Sequence, residues 1–205
     1  MEASSTCRSG LRPGALAILL VMLASSTPVL SSCVATMVGA ATVTGVDIAT
    51  DRRTVGSYID DEAIELEIQK YRLSNQAVRD ETHLNPTSMN GVVLLTGEVE
   101  SPRIKKQVID YVRGLNGVRQ VVDEMQIAGK TAVMSRTTDV WLTTKVKTTL
   151  YAKTGFDANR VKVVTEHGTV YLMGLVSHTE ADQAVDVVRH IDGVVRVVKV
   201  FEYVD

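Results

Sequence analysis

The chain has 205 residues, of which 45 % are hydrophobic and 22 % charged, a globular composition that excludes a wholly disordered protein. Its formal net charge of −2 lacks the strongly basic balance of a dedicated nucleic-acid binder, so no nucleic-acid partner is expected. Two cysteines are too few for a disulfide-dense secreted scaffold. The length fits one or two domains.

The N-terminal segment, residues 1–32, has the features of a signal peptide. Arg8 and Arg12 precede an unbroken apolar run over residues 15–24. Ten helical residues cover about 15 Å, which is half of a bilayer core of roughly 30 Å. We therefore predict a cleaved signal and not a membrane span.

The segment Leu30-Ser31-Ser32-Cys33 resembles the bacterial lipobox. This resemblance implies cleavage before Cys33 and acylation of that cysteine, and Val34 after it implies sorting to the outer membrane. Acyl chains contribute about 0.8 kcal/mol per buried CH2, so several would form a lasting anchor. The alternative is a plain secretory signal with a coincidental cysteine.

Residues 33–56 are rich in Ala, Val, Thr and Gly and show little periodicity, which predicts a flexible tether. Cys33 is the only cysteine left after cleavage. An intramolecular disulfide, a CxxC redox centre and a four-cysteine zinc site are therefore excluded.

The remainder of the chain contains one module twice. Three blocks of the first copy recur in the same order in the second copy, at offsets of 76 to 78 residues. Two copies in order indicate a duplicated domain and not a solenoid, which needs more repeats. The matching blocks are Asp61, Ile64 and Ile68 with Asp139, Leu142 and Val146; residues 90–99 with 167–176; and residues 115–122 with 191–198.

Each copy is predicted to fold as αββαβ. Apolar residues at helical spacing, such as Leu142, Val146 and Leu150, follow an aspartate suited to an N-cap. A hairpin then turns at Asn-Gly or His-Gly, and a second helix and a valine-rich strand follow. We predict an α+β fold in which two helices cover one face of a three-stranded sheet, with domains over residues 57–130 and 131–205.

The two copies resemble BON domains. The resemblance rests on the paired aspartate helix, the Gly-Val-Val-Leu-Leu-Thr-Gly hairpin and the Gly-Val-x-x-Val-Val segment, and it covers roughly residues 51–205. The tandem arrangement behind a lipobox is similar to the dual BON-domain lipoproteins of the Gram-negative outer membrane. It implies a non-enzymatic lipoprotein on the periplasmic face that binds anionic phospholipid, phosphatidylglycerol or cardiolipin, and supports outer-membrane integrity.

The charges of the two copies diverge. Residues 60–128 hold eight basic and twelve acidic side chains, whereas residues 136–205 hold nine of each. The opening helix and the following loop of the second copy carry a local excess of basic residues, while the opening helix of the first copy is acidic. Only the second copy is therefore expected to attract an anionic membrane.

Helical geometry places the only tryptophan, Trp141, about 140° from the centre of the apolar stripe of its own helix. An indole beside lysines suits a lipid headgroup region. The alternatives are that Trp141 packs against the first copy or the tether, and that the lysines form a solvated face. The predicted phospholipid-binding residues are Trp141, Thr144, Lys145, Lys147, Thr148 and Tyr151.

No catalytic, cofactor or metal site is predicted. The four histidines lack metal-binding spacing, and His167 is interpreted as a turn residue. Asp60 and Asp61 are interpreted as capping and dipole-compensating residues at a helix start. A second hypothesis is an adaptor for outer-membrane assembly or division proteins, using the acidic first copy or a sheet edge.

Overall fold

The computed structural model describes residues 52–129 and 133–204, and side chains of the second range from residue 138 onward. The predicted signal peptide, Cys33, the tether up to residue 51 and the domain boundary at residues 130–131 lie outside the described residues. Both copies belong to one compact unit of the chain.

The first copy follows the predicted order of elements, with one short helix added before the hairpin and with its last strand in two pieces. Its elements are α1 (Val55–Ser74), α2 (Gln76–Glu81), β1 (Thr82–Met89), β2 (Val92–Val99), α3 (Pro102–Arg113), β3 (Gln120–Asp123) and β4 (Gln126–Ile127).

The second copy repeats this order with a single 3-10 turn, Ala158–Arg160, in the place of α2. In each copy the hairpin supplies the first two strands of the sheet, and the remaining strand segments follow the second long helix in the chain. Its other elements are α4 (Val133–Lys153), β5 (Lys162–Glu166), β6 (Thr169–Val176), α5 (His178–Val188) and β7 (Arg196–Tyr203).

In both sheets the second strand of the hairpin is central. β1 pairs antiparallel to β2, and both β3 and β4 pair parallel to β2. β6 has β5 antiparallel on one side and β7 parallel on the other. The parallel pairing requires a crossover helix, which α3 and α5 supply. The predicted α+β fold is confirmed.

The central strands are buried on both faces. In β2, Val93 and Leu95 join the core beneath the helices, whereas Val92 and Leu94 belong to a separate cluster. That second cluster also contains Tyr171 and Met173 of β6, so it joins the two copies. The helix-free faces of the two sheets therefore pack against each other, an arrangement that was not predicted.

Polar contacts surround this shared apolar cluster. Arg196 donates to Glu124 at 2.9 Å, and Arg119 forms an ion pair with Glu202. Burial, with Glu124 beside the phenol, raises the pKa of Tyr171 to about 12. These contacts fix the register of one sheet against the other.

The first helix begins earlier than predicted. α1 starts at Val55 with Thr54 as its N-cap, because the Thr54 hydroxyl accepts from the Ser57 amide at 3.0 Å. The last two residues assigned to the tether are therefore helical. Arg52 also contacts the second copy through an ion pair with Glu180 at 2.7 Å.

Candidate functional site

The buried carboxylate of Asp61 joins α1 to the hairpin of the first copy. It accepts from the backbone amides of Asn90 at 2.6 Å and Gly91 at 2.9 Å, and from the Ser88 hydroxyl at 2.7 Å. Arg53 forms an ion pair with it at 2.8 Å. The capping interpretation of Asp61 is wrong, because the carboxylate lies within the helix and binds a distant turn.

Asp139 makes the equivalent contacts in the second copy. Its carboxylate accepts from the amides of His167 at 2.9 Å and Gly168 at 3.0 Å. His167 has a φ of 50°, and Gly168 a φ of 71°, which is the conformation of a tight hairpin turn. The interpretation of His167 as a turn residue is confirmed, and the paired aspartates set the position of each opening helix on its sheet.

With α4 fixed in this way, its apolar stripe faces the core. Leu142, Val146 and Leu150 are buried, as predicted. Trp141 is 58 % exposed, so its side chain points away from the core as the helical projection predicted. An exposure of 58 % is not that of a side chain buried against the first copy, and the tether up to residue 51, named in the same alternative, lies outside the described residues.

The remaining polar residues predicted for this face also lie on the surface. Thr144 and Thr148 are exposed, and their hydroxyls donate to carbonyls of their own helix at 3.1 Å and 3.0 Å. Tyr151 is 56 % exposed, and its hydroxyl donates to Asn159. Together with Trp141 these residues form the α4 face.

The two lysines flank the α4 face and differ in their contacts. The Lys145 ammonium lies 5.0 Å from the centre of the Trp141 ring, which is within cation–π range. It also donates to the Asp192 carbonyl at 3.1 Å, so it is more constrained than predicted. Lys147 is exposed and lines a cleft of about 310 Å³ together with Arg53 and Lys162.

Two apolar residues of this surface were missed by the sequence analysis. Val195 is 81 % exposed and Val140 is 68 % exposed. Val195 and Trp141 line the same shallow depression beside the His167-Gly168 turn. No helical periodicity could place Val195 there, because it lies on the loop before β7 and reaches the site only through tertiary structure.

The first copy provides an internal comparison. At the offset of 78 residues, Trp141 corresponds to Ala63 and Lys145 to Glu67. Ala63 and Glu67 line the equivalent depression of the first copy. The same place in the module is therefore aromatic and basic in one copy and small and acidic in the other.

Three potential metal ligands lie at the contact between the copies. Glu98, Glu166 and His167 each offer an atom, and these atoms lie within 4.8 Å of one another. The expectation of no metal site rested on spacing along the sequence, and that spacing does not reveal a cluster formed by two domains.

None of the helices in the described residues combines the length and the apolar character that crossing a membrane requires. The family model described as BON domain matches residues 60–129 and 138–205. These two matches coincide with the two copies of the module and together cover more than half of the chain.

Three curated proteins illustrate the similarity. The chain is 36 % identical over 186 residues to the outer membrane lipoprotein DolP of Haemophilus influenzae, covering 91 % of this chain and 96 % of that protein. It is 36 % identical over 155 residues to the 21 kDa hemolysin of Actinobacillus pleuropneumoniae, covering 75 % and 79 %. It is 28 % identical over 153 residues to the osmotically-inducible protein Y of Escherichia coli, covering 73 % and 76 %.

Proposed function

The chain belongs to the BON-domain family, and from this premise we propose that it is an outer-membrane lipoprotein that binds anionic phospholipid through the α4 face. Its similarity over nearly the whole chain to a protein named outer membrane lipoprotein supports the location. The lipobox-like segment ending at Cys33 supports acylation at that residue. The names of these three relatives are not those of enzymes, which supports a binding role.

The observation that carries the lipid-binding proposal is the exposed indole of Trp141 with the Lys145 ammonium 5.0 Å from its ring centre. Indole rings favour the headgroup level of a bilayer, and ammonium groups pair with phosphate there. This surface is extended by the exposed residues Val140, Thr144, Thr148 and Tyr151. Because the apolar stripe of α4 is buried in the core of its own domain, its exposed face would contact the membrane at the interface.

The charges at equivalent positions of the two copies also favour α4 as the helix that binds lipid. Each lysine near an anionic surface contributes about 1 kcal/mol, and salt weakens this contribution. Glu67 would repel such a surface at the position where Lys145 attracts it. On this proposal, the first copy carries at the equivalent position a pair of residues that should not bind an anionic surface.

Vesicle co-sedimentation of a fragment containing residues 52–205 tests the proposal, because the fragment holds both copies and lacks Cys33. The double change Trp141→Ala with Lys145→Glu gives the second copy the residues of the first. We expect binding to phosphatidylglycerol vesicles to weaken at least about tenfold, which corresponds to about 1.4 kcal/mol. Raising the salt concentration should also weaken the binding of the wild-type fragment, because salt screens the attraction between lysines and the anionic surface.

The matched control is Leu66→Ala with Lys70→Glu on α1. Leu66 is 55 % exposed, close to the 58 % of Trp141, and Lys70 is also on the surface. This control should bind as the wild type does. Equal binding by the wild type and the α4 double variant would reject the assignment to α4.

A protein-interaction adaptor is the second candidate, and one surface of the first copy favours it. Four aliphatic side chains on α1 are more than half exposed, and they lie on one side of the helix. A partner retained by the α4 double variant but lost when these residues are changed to serine would support the adaptor. The four residues are Val55, Ile59, Leu66 and Leu73.

A further inference from the structure

Glu98, Glu166 and His167 come together only because the two sheets pack against each other. Glu98 lies on β2 of the first copy, whereas Glu166 ends β5 and His167 forms the following turn in the second. The His167 Nε2 atom is 2.6 Å from Glu98 Oε1 and 3.9 Å from Glu166 Oε1. The cluster therefore spans the contact between the copies.

The carboxylates of Glu98 and Glu166 are buried, and one of their oxygens has no hydrogen-bond donor among the residues that the structure describes. Glu98 is only 2 % exposed and Glu166 only 8 %. In the described part of the chain, the only ion-pair partner recorded for either carboxylate is the imidazole of His167, which carries charge only when it is protonated. The buried Oε2 atom of Glu98 has no hydrogen-bond partner there. A buried carboxylate oxygen without a donor is costly, so this oxygen indicates a missing cation.

We propose that Glu98, Glu166 and His167 bind a zinc ion that links the two copies. One imidazole nitrogen and two carboxylates suit Zn²⁺ better than Mg²⁺ or Ca²⁺, which prefer oxygen ligands throughout. Ligand atoms about 2 Å from a tetrahedral zinc lie about 3.3 Å apart. The observed separations of 2.6 and 3.9 Å lie on either side of that value, so small side-chain rotations suffice.

A neighbouring amide already orients one of these ligands. The Asn85 side chain donates to Glu166 Oε2 at 2.9 Å, which is the kind of outer contact that holds a ligating carboxylate in place. Asn85 lies on β1, so this contact also comes from the opposite copy. The other carboxylate oxygen, Glu166 Oε1, is the one that lies 3.9 Å from the His167 Nε2 atom.

The positions that correspond to this cluster when the two copies are exchanged carry neither carboxylates nor imidazoles. At the offset of 77 residues, Glu98 corresponds to Leu175, Glu166 to Met89 and His167 to Asn90. Only one zinc ion per chain is therefore expected. Because its ligands come from both copies, the ion should stabilise their packing.

Titration of the full chain in detergent micelles with Zn²⁺, by isothermal calorimetry and thermal unfolding, tests the site. We expect one ion per chain and a rise in the unfolding temperature. His167→Asn and Glu98→Gln should each weaken the affinity at least about tenfold and abolish most of that rise. Asparagine is suitable at 167 because Asn90 has a φ of 52° at the equivalent turn, close to the 50° of His167.

His190→Asn is the control, because His190 is an exposed histidine whose ring contacts the Asp186 carbonyl and lies outside the cluster. It should bind zinc as the wild type does. The proposal is overturned if the wild type binds no zinc, if zinc does not raise its unfolding temperature, or if either cluster variant retains wild-type affinity.

Discussion

Replacing Gly97, the one glycine of β2, with alanine should lower the free energy of unfolding by about 3 kcal/mol or more. A Cβ atom at this position would lie 1.9 Å from the carbonyl oxygen of His83 on the paired strand. Gly97 also has a φ of 106°, which other residues rarely adopt. Both effects would strain the central strand of the first sheet. Denaturant unfolding monitored by circular dichroism measures the resulting change in the free energy of unfolding.

Gly56→Ala is the matched control for Gly97→Ala. Its added Cβ would meet its nearest atom, the Thr54 hydroxyl oxygen, at an ordinary 3.7 Å, and the residue lies in the first turn of α1. Alanine there should be neutral or stabilising by up to about 1 kcal/mol. A Gly97 variant as stable as the Gly56 variant would contradict the close strand approach at residue 97.

Replacing Asp61 with alanine should cost about 3 to 5 kcal/mol of unfolding free energy. The change leaves two hairpin amides, a buried hydroxyl and the Arg53 guanidinium without their acceptor. The neighbouring Asp60 is exposed, so Asp60→Asn should change stability by no more than about 0.5 kcal/mol. Chemical denaturation at neutral pH compares the two.

The Asp61 contacts also predict a dependence on pH. Burial raises the pKa of this carboxyl, but hydrogen bonds from Gly91, Ser88, Asn90 and Arg53 outweigh burial and hold the pKa below its ordinary value. The resulting stability is present above the pKa of an unfolded aspartate and is lost as pH falls through the lower folded pKa. Asp61→Asn should flatten this acid limb of the stability curve, and an unchanged limb would contradict the assignment.

Helical periodicity and the repeat were sufficient to predict the αββαβ elements common to both copies, but not the short helix α2 or the division of the last strand of the first copy. Leu142, Val146 and Leu150 are buried and Trp141 is exposed because a helix fixes these directions locally. The start of α3 is also a local feature, since Ser101 caps the helix and Pro102 occupies its first position. These features depend on residues that are near each other in sequence.

The contact between the copies could not be derived in the same way. One signal was present, because Val92-Val93-Leu94-Leu95 and Val170-Tyr171-Leu172-Met173 are apolar on both faces of a strand. The surface covering the second face could not be inferred from that pattern. Asp61 was misassigned for a similar reason, since its partners lie 27 to 30 residues away on the hairpin.

The candidate lipid surface shows the same division. The α4 residues were found from one helix, whereas Val195 joins Trp141 only in the folded domain. Lys145 was predicted from the same helix as a phospholipid-binding residue, but its hydrogen bond to the Asp192 carbonyl depends on tertiary structure. The zinc ligands were missed because Glu98 and His167 are 69 residues apart in the chain.

The intrinsic fluorescence of Trp141 tests the lipid-binding proposal most directly, because it is the only tryptophan of the chain and reports on the α4 face alone. A fragment of residues 52–205 would be titrated with phosphatidylglycerol vesicles and, separately, with phosphatidylcholine vesicles. The indole is 58 % exposed without lipid, so its emission should begin at the wavelength of a hydrated ring.

Phosphatidylglycerol should shift this emission to shorter wavelength and protect Trp141 from aqueous quenchers, because the indole moves into the headgroup region. Phosphatidylcholine should have a much smaller effect, since the lysines then lack a net anionic surface. Emission and quenching that stay unchanged while the fragment sediments with phosphatidylglycerol vesicles would contradict the proposal, because another surface would then be responsible for binding.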